Sequence, residues 1–555
     1  MQKKIVYFLF FIIVVVASIL RLWQLGYVPI SPNWDEVALG YNAYSIIQTG
    51  RDEYGEFLPI ILRSFDDYKP ALYAYLIIPF IKLFDLTVFA VRLPSAIFGI
   101  LTIVGVFFLV KELFRKNSIA LLSSFLLAIS PWHIQFSRIA FESNVGLAFN
   151  VFAALFFVLG LRKPWLLIAS AFFMGINLYV YQSEKVFTPL LFIALVSIFR
   201  KEFFLIPKRY IVAAGMLGIV VSLPIIHYTL TNREALSRAQ SVSIFANTPF
   251  LQENAQKLIQ DREKHDYLGL ILDNRRVTYL KMITTSYLAH FDLNWLFIKG
   301  DIARHHAPSM GLLYLWELPF LMIGIYVLLF GSFSPRTKAL VISWFLIAPL
   351  PASITSGVPH AVRTLNFLPM FQIFIALGIL SVMYQISGIR LRNLLIAFYL
   401  LLITFNFLYY LNQYFIQLNY FHSQYWQYGY EEAVSAIKDV EGDYNKIIVS
   451  NVPYLDQSYI FFLFYLKYSP SEYQKEVRFA SGKLNETHKF GKFEFRPIHW
   501  NTESKDKKIL YMGTRNDFPI NVDLIKAVYF FNSKEFKKPI ESVKQEAITI
   551  VRHRE

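Results

Sequence analysis

The sequence predicts an α-helical integral membrane protein with a small α/β domain at its C-terminal end. Three observations predict it. Hydrophobic residues make up 55% of the chain and charged residues only 17%, too little charge for a soluble chain of this length. Most of the apolar residues gather in runs of about 17 to 25, the length that crosses a hydrocarbon core of about 30 Å. Beyond residue 412 the composition turns mixed and polar, with short apolar stretches that alternate between helix and strand patterns.

The first apolar run, roughly 5–25, follows Lys3 and Lys4, which places the N-terminus on the cytoplasmic side. It starts like a secretory leader. Its apolar stretch is too long for one and no small-residue cleavage site follows, so it is expected to remain as the first span. The next run, 71–84, is short and holds Pro79 and Lys82. If it crossed, the cluster Lys111, Arg115 and Lys116 would fall outside and every later loop would invert. Laid in the headgroup plane as an interfacial helix, it leaves that cluster inside. The same choice keeps Arg162 and Lys163, Arg200, Lys201, Lys208 and Arg209, Arg336 and Lys338, and Arg390 and Arg392 inside as well.

The spans then fall near 5–25, 88–110, 118–137, 145–161, 165–183, 186–199, 211–229, 312–331, 338–351, 365–385 and 393–412, about eleven in all. The expected organisation is a membrane module, 1–412, with outer loops at 26–87 and 230–311, and an extracytoplasmic domain at 413–555. In that domain EEAVSAIKDV and QSYIFFLFYLKY read as helices, NKIIVSN and KKILYMG as strands.

The net charge of +15 raises the question of nucleic acid. The excess sits in short clusters between apolar runs, and no reading motif accompanies it, so nucleic acid is not an expected partner. The absence of cysteine excludes a disulfide framework, a thiolate metal site and a cysteine nucleophile. No P-loop, dinucleotide fingerprint, HExxH or serine-nucleophile motif is present.

The chemistry-bearing stretch is 33–72, NWDEVALGYNAYSIIQTGRDEYGEFLPIILRSFDDYKPAL. Its carboxylates cannot lie in hydrocarbon, so it must face water or the headgroup layer. Asp35 and Glu36 open a helix that Gly50 ends. Asp35 serves there as the helix cap, as a general base that takes a proton from an incoming hydroxyl or amine, or as both. Lys69, before Pro70, either snorkels at the surface or meets a lipid phosphate, and Tyr68 beside it fits an aromatic belt or a lipid groove.

Arg138 and Glu142 stand four apart, the spacing of a pair on one helix face, at the outer end of the third span. Arg92, just inside the second span, calls for an outer-loop carboxylate as partner, since burial alone would be costly. His290, Arg304, His305, His306, His360 and Arg363 fall on the outer side. Of these, His305, His306 and His360 are candidates for substrate or for a divalent cation, although adjacent histidines do not easily share one ion. Arg363 is either an interfacial anchor or a phosphate clamp.

Five pieces, WDEVALGYNAYSIIQTGRDEYG, YKPALYAYL, RLPSAIFG, SPWHIQFSRIAFESN and LPASITSGVPHAVRTLNFLP, occur in this order over residues 20–370. Together they resemble the GT-C membrane glycosyltransferases, above all the bacterial family 39/83 enzymes related to protein O-mannosyltransferases and the lipid A aminoarabinose transferase. The resemblance implies transfer of a sugar from a polyprenyl-phosphate donor to a protein, glycan or lipid acceptor on the outer face of a bacterial-type cell membrane. It implies that Asp35 is the catalytic base with Glu36 beside it, and that Glu142 is the acid of the second loop. Lys69, Arg138, Arg363 and Tyr68 are then the donor-phosphate side. Ala71 stands where that family usually has a second proline, and Tyr68 where an acid often precedes the lysine. Those departures weaken any metal role there, although Asp66 and Asp67 are near.

Two other classes make different demands. A transporter or lipid flippase would place charge at the midplane, in internally repeated broken helices; here the ionisable residues gather on one face and no repeat is visible. A non-catalytic envelope scaffold leaves the one-sided acids and bases unexplained.

Overall fold

The computed structural model describes residues 2–65, 67–232, 243–246, 248–386, 388–477, 487–531 and 545–554. Asp66, one of the two acids near Lys69, lies outside them. The chain divides into two compact units.

The first unit comprises 1–20, 98–136 and 142–407 and is helical. Helices stand at each of the expected spans. Six helices of the described residues are long and apolar enough to cross a membrane, Lys3–Leu22 and Val88–Phe114 among them. A seventh is gained if Asn117–Ile129 and Pro131–Ser137, bent by 61° against each other, count as one span. The bend falls where Pro131 lacks the N–H that would continue the hydrogen-bond ladder.

Two features hold helices of this unit together. Glu317–Phe330 and Leu368–Gln385 cross where Gly324 and Gly378 face each other's backbone. A Cβ on Gly324 would sit 1.7 Å from the Phe374 carbonyl oxygen, and one on Gly378 2.0 Å from that of Phe320. Elsewhere in the unit the Glu184 carboxylate accepts hydrogen bonds from Asn150 (2.6 Å) and Asn366 (2.9 Å), while Asn177 and Thr188 each donate to Asn150 Oδ1 at 2.9 Å. Polar groups buried this far from water are tolerated because they satisfy one another.

The second unit comprises 21–97, 137–141 and 408–555. Its opening loop folds into the helix Trp34–Thr49, a hairpin of β1 (Ile61–Ser64) and β2 (Asp67–Pro70), and the helix Leu72–Phe84. That last helix has 13 residues. At 1.5 Å per residue it spans about 20 Å, short of a bilayer core.

The C-terminal part holds a six-stranded mixed sheet. Its strands are β3 (Lys446–Val449), β4 (His488–Phe490), β5 (Phe493–Phe495), β6 (Ile509–Gly513), β7 (Asp523–Tyr529) and β8 (Glu546–Arg552), in the order β4-β5-β3-β6-β8-β7. β3 runs parallel to β5 and β6, and the remaining pairs are antiparallel. The two strands and two helices expected from the tail's pattern are β3, β6, Tyr430–Val440 and Ser458–Leu466.

The opening loop and this domain pack as one body. The Tyr41 hydroxyl donates to the Tyr468 carbonyl at 3.0 Å. The Gln474 amide donates to Ser45 Oγ and Thr49 Oγ1, both at 3.0 Å, and to the Asp52 carbonyl at 2.8 Å.

Candidate functional site

The helix Trp34–Thr49 begins with a capping box. The Asn33 side chain accepts from Glu36 N at 3.0 Å, and the Glu36 carboxylate accepts from Asn33 N at 3.1 Å. The cap is therefore Asn33, not Asp35, because an Asn oxygen two residues earlier reaches the free N–H groups first. Asp35 sits in the first turn, where the helix dipole favours a negative charge. At the other end Gly50 adopts φ 70° and its N–H bonds the Ile46 carbonyl at 2.9 Å, which stops the helix.

Lys69 reaches Asp35 across thirty-four residues of chain: its Nζ forms an ion pair with Asp35 Oδ1. The hairpin sets this meeting, with Lys69 opposite Leu62 in an antiparallel register. Backbone and side-chain bonds then tie the hairpin down: Ala71 N to the Ile60 carbonyl (3.0 Å) and the Tyr75 hydroxyl to the Pro59 carbonyl (3.0 Å). Side-chain exposure is 13% for Lys69 and 39% for Asp35. The acid is thus open to an incoming group while the lysine is mostly covered. Tyr68 is the neighbouring residue of β2, so it leaves the opposite face of the hairpin.

Glu36 has a different setting. Fully buried, it takes Arg92 Nε at 2.8 Å and Nη2 at 3.2 Å, and accepts from Ala140 N at 3.1 Å. Arg92, also buried, spends its remaining donors on the carbonyls of Leu25, Pro29 and Ser31. The outer-loop partner expected for Arg92 is Glu36, and this carboxylate is saturated with donors.

Arg138 is buried as well. Its Nη2 donates to the Val28 and Gln24 carbonyls at 3.1 and 3.3 Å, and its guanidinium lies over the rings of Phe415 and Tyr414 at 4.8 and 5.6 Å. The helix before it ends at Ser137 and the next starts at Glu142. The expectation of one helix face carrying Arg138 and Glu142 is therefore corrected: a turn separates them. Glu142, in the first unit, opens the helix Glu142–Gly160 and is buried.

The sequence reading missed Glu53. Its carboxyl is buried, paired with the Asn42 side chain at 3.2 Å, and Oε2 has no partner among the described residues. Burial pushes it up to about 8, against the weaker pull of the Asn42 hydrogen bond.

The first unit holds a second group of chemistry-bearing residues. Asp301, His305 and His360 each offer a ligand atom, all within 4.8 Å of one another. Asp301 Oδ2 accepts from His305 Nδ1 at 3.0 Å and from Ala361 N at 2.6 Å. Asp301 was missed by the sequence reading, although its spacing of four from His305 is the signal that could have found it. His306 is not one of the three. Its Nδ1 donates to the Ala307 carbonyl at 2.8 Å and its ring fills the space against Gly300, where a Cβ would meet Cγ at 2.6 Å. Arg363 donates from Nη1 to Thr355 Oγ1 (2.6 Å) and the Ser356 carbonyl (2.7 Å).

Comparison with known proteins bears on these features. Residues 68–228 match the family described as dolichyl-phosphate-mannose-protein mannosyltransferase. No curated protein matches the chain by sequence. Among solved structures, ArnT from Cupriavidus metallidurans bound to undecaprenyl phosphate superposes with a TM-score of 0.51 at 11% identity, over 99% of this chain and 98% of that one. The Archaeoglobus fulgidus oligosaccharyltransferase tethered to an acceptor peptide aligns with a TM-score of 0.48 at 13% identity, over 83% of this chain. This chain spans about three fifths of that protein's length, the aligned share being 59%. The chain thus has the fold of ArnT, and its residues 68–228 match the mannosyltransferase family model.

Proposed function

We propose that this protein is a membrane glycosyltransferase that moves a sugar from a polyprenyl-phosphate-linked donor to an acceptor at the extracytoplasmic face, with Asp35 as general base. The observation that carries the reading is the Asp35–Lys69 ion pair, half open to solvent on the Asp35 side. A carboxylate that accepts a proton and an ammonium that neutralises a leaving phosphate are the two groups such a transfer needs. The family match at 68–228, the ArnT-like fold and the short apolar helix that follows Lys69 support it.

In this reading the acceptor hydroxyl or amine loses its proton to Asp35 as it attacks the anomeric carbon. The bond to the donor phosphate breaks, and the phosphate leaves as an anion held by Lys69. A single displacement inverts the anomeric centre. Glu36 and Arg138, buried and bonded on several sides, act as positioning residues, Glu36 for the helix turn that carries Asp35.

The test is sugar transfer by the purified chain from a polyprenyl-phosphate sugar, comparing the native protein with Asp35→Asn. A loss of about 10²- to 10⁴-fold in turnover is expected for removal of a general base. Full turnover in a folded Asp35→Asn protein overturns the assignment.

A further inference from the structure

We infer that a membrane phospholipid with an anionic headgroup occupies an apolar groove of the first unit, its headgroup at Arg392. The groove has a volume of about 510 Å³. It lies chiefly between the helices Lys3–Leu22, Asn117–Ile129, Leu368–Gln385 and Ile389–Asn412. Ser118, Tyr399 and Arg392 are the polar residues of its wall, and every other lining residue is apolar.

The last of these helices sets its length. Arg392, Leu395, Ile396, Tyr399 and Ile403 line the groove, at the three- and four-residue steps that keep to one helix face. From Arg392 to Ile403 the helix rises about 16 Å, half of a hydrocarbon core of about 30 Å. Toward the deep end the Tyr399 ring meets Phe320 edge-on, with centroids 5.0 Å apart. That depth matches the acyl chains of a lipid from one leaflet. A helix of a second copy would have to run the whole core.

The charge lies at one end. The lined stretches begin at Leu9, Ser118 and Arg392, near the N-termini of three helices, and on the fourth end at Ile386, just past Gln385. Beyond these points along the chain stand Lys3, Lys4, Lys116 and Arg390. The acids of the turns expected on that side are engaged elsewhere: Glu112 accepts from Arg162 at 2.7 Å, and Glu202 pairs with Arg336. The described wall holds no carboxylate to neutralise Arg392. Cations at the mouth of an apolar groove between membrane helices suit a phosphate headgroup whose chains lie in the groove. The same cations mark the side expected to be cytoplasmic, so the lipid comes from that leaflet and not from a donor pool on the outer face. None of this rests on the proposed function.

The experiment is native mass spectrometry of the delipidated full-length protein in detergent, titrated with dioleoyl phosphatidylglycerol and with dioleoyl phosphatidylcholine. Phosphatidylglycerol should saturate one tight site per chain, and phosphatidylcholine should bind it at least tenfold more weakly. Arg392→Gln leaves the apolar wall intact and should weaken phosphatidylglycerol by about fivefold, the share of one cation near the surface. Ile396→Trp should fill the groove and remove the tight site. Arg209→Gln, a change of the same charge away from the groove, should leave binding as it was. Equal affinity for the two lipids would mean an ordinary lipid annulus and overturn the inference. So would an Arg209→Gln effect as large as that of Arg392→Gln, which would mean diffuse surface charge. Displacement of phosphatidylglycerol by an equal concentration of polyprenyl phosphate would overturn it too, by assigning the groove to the carrier lipid.

Discussion

Arg92 grips the Glu36 carboxylate with two nitrogens, at 2.8 and 3.2 Å, and neither side chain is exposed to solvent. The next residue along, Asp35, faces outward to Lys69. Two adjacent acids at one helix start thus have opposite settings, one locked inside and one reachable. The helix period accounts for the split, since neighbours about 100° apart cannot share a face.

Breaking the inner pair should cost stability before it costs chemistry. Arg92→Met leaves a buried carboxylate without its cation, a change that typically destabilises by about 3–5 kcal/mol. Glu36→Gln should couple to it, with a double-mutant interaction on the order of 1–3 kcal/mol. Chemical unfolding of the four proteins in detergent measures this, and strict additivity would show that the pair is not formed.

Lys69 should matter to the donor. Lys69→Ala removes a point charge from beside the leaving phosphate, so the donor concentration for half-maximal rate should rise at least tenfold. Lys69→Arg keeps the charge but changes its shape, and should recover part of that loss. Asp35→Asn should instead lower the maximal rate. Steady-state transfer over a donor series separates the two, and an unchanged donor dependence in Lys69→Ala rejects phosphate binding.

The helix Trp34–Thr49 and its stop at Gly50 were legible in the sequence because both follow from local signals. So were the helices at the expected spans and the alternating pattern of the tail. The cap was not, since Asn33 and Asp35 are both good capping residues and only the backbone path chooses between them. Arg92's need for an acid was legible from burial cost; which acid was not. Gln474 meeting Ser45, Thr49 and Asp52 left no trace at all. No period or composition links residues more than four hundred apart. Asp301 stands four residues before His305, a spacing the sequence does carry, but its hydrogen bond from Ala361 N, sixty residues on, has no sequence signal.

Glu53 should make stability fall as pH rises. Its folded-state pKa is raised by burial to about 8 from the ordinary 4.5, so between those values the folded protein holds a proton that the unfolded chain has released. The stabilising contribution is complete below about pH 4.5 and is lost as pH climbs through 8. Glu53→Gln keeps the shape and the Asn42 contact without the titration. Melting temperatures from pH 5 to 9 should show the variant gaining on the native protein as pH increases, and parallel curves would refute a protonated Glu53.

Gly40 tests whether the opening loop and the C-terminal domain are packed as described. A Cβ there would lie 2.7 Å from Val91 Cγ2 and 2.8 Å from Phe464 Cε2. Mid-helix, Gly→Ala ordinarily stabilises by up to about 1 kcal/mol. Here the clash should reverse the sign, since overpacking typically costs about 1–3 kcal/mol. Phe464→Leu shortens one of the two obstacles, so Gly40→Ala should cost less in that background. Gly442→Ala is the control, because nothing lies within 4 Å of its Cβ position. Unfolding midpoints should therefore drop for Gly40→Ala, partly recover relative to Phe464→Leu alone, and stay level for Gly442→Ala. A stabilised Gly40→Ala would mean that Phe464, on the helix Ser458–Leu466, does not press on the helix that carries Asp35.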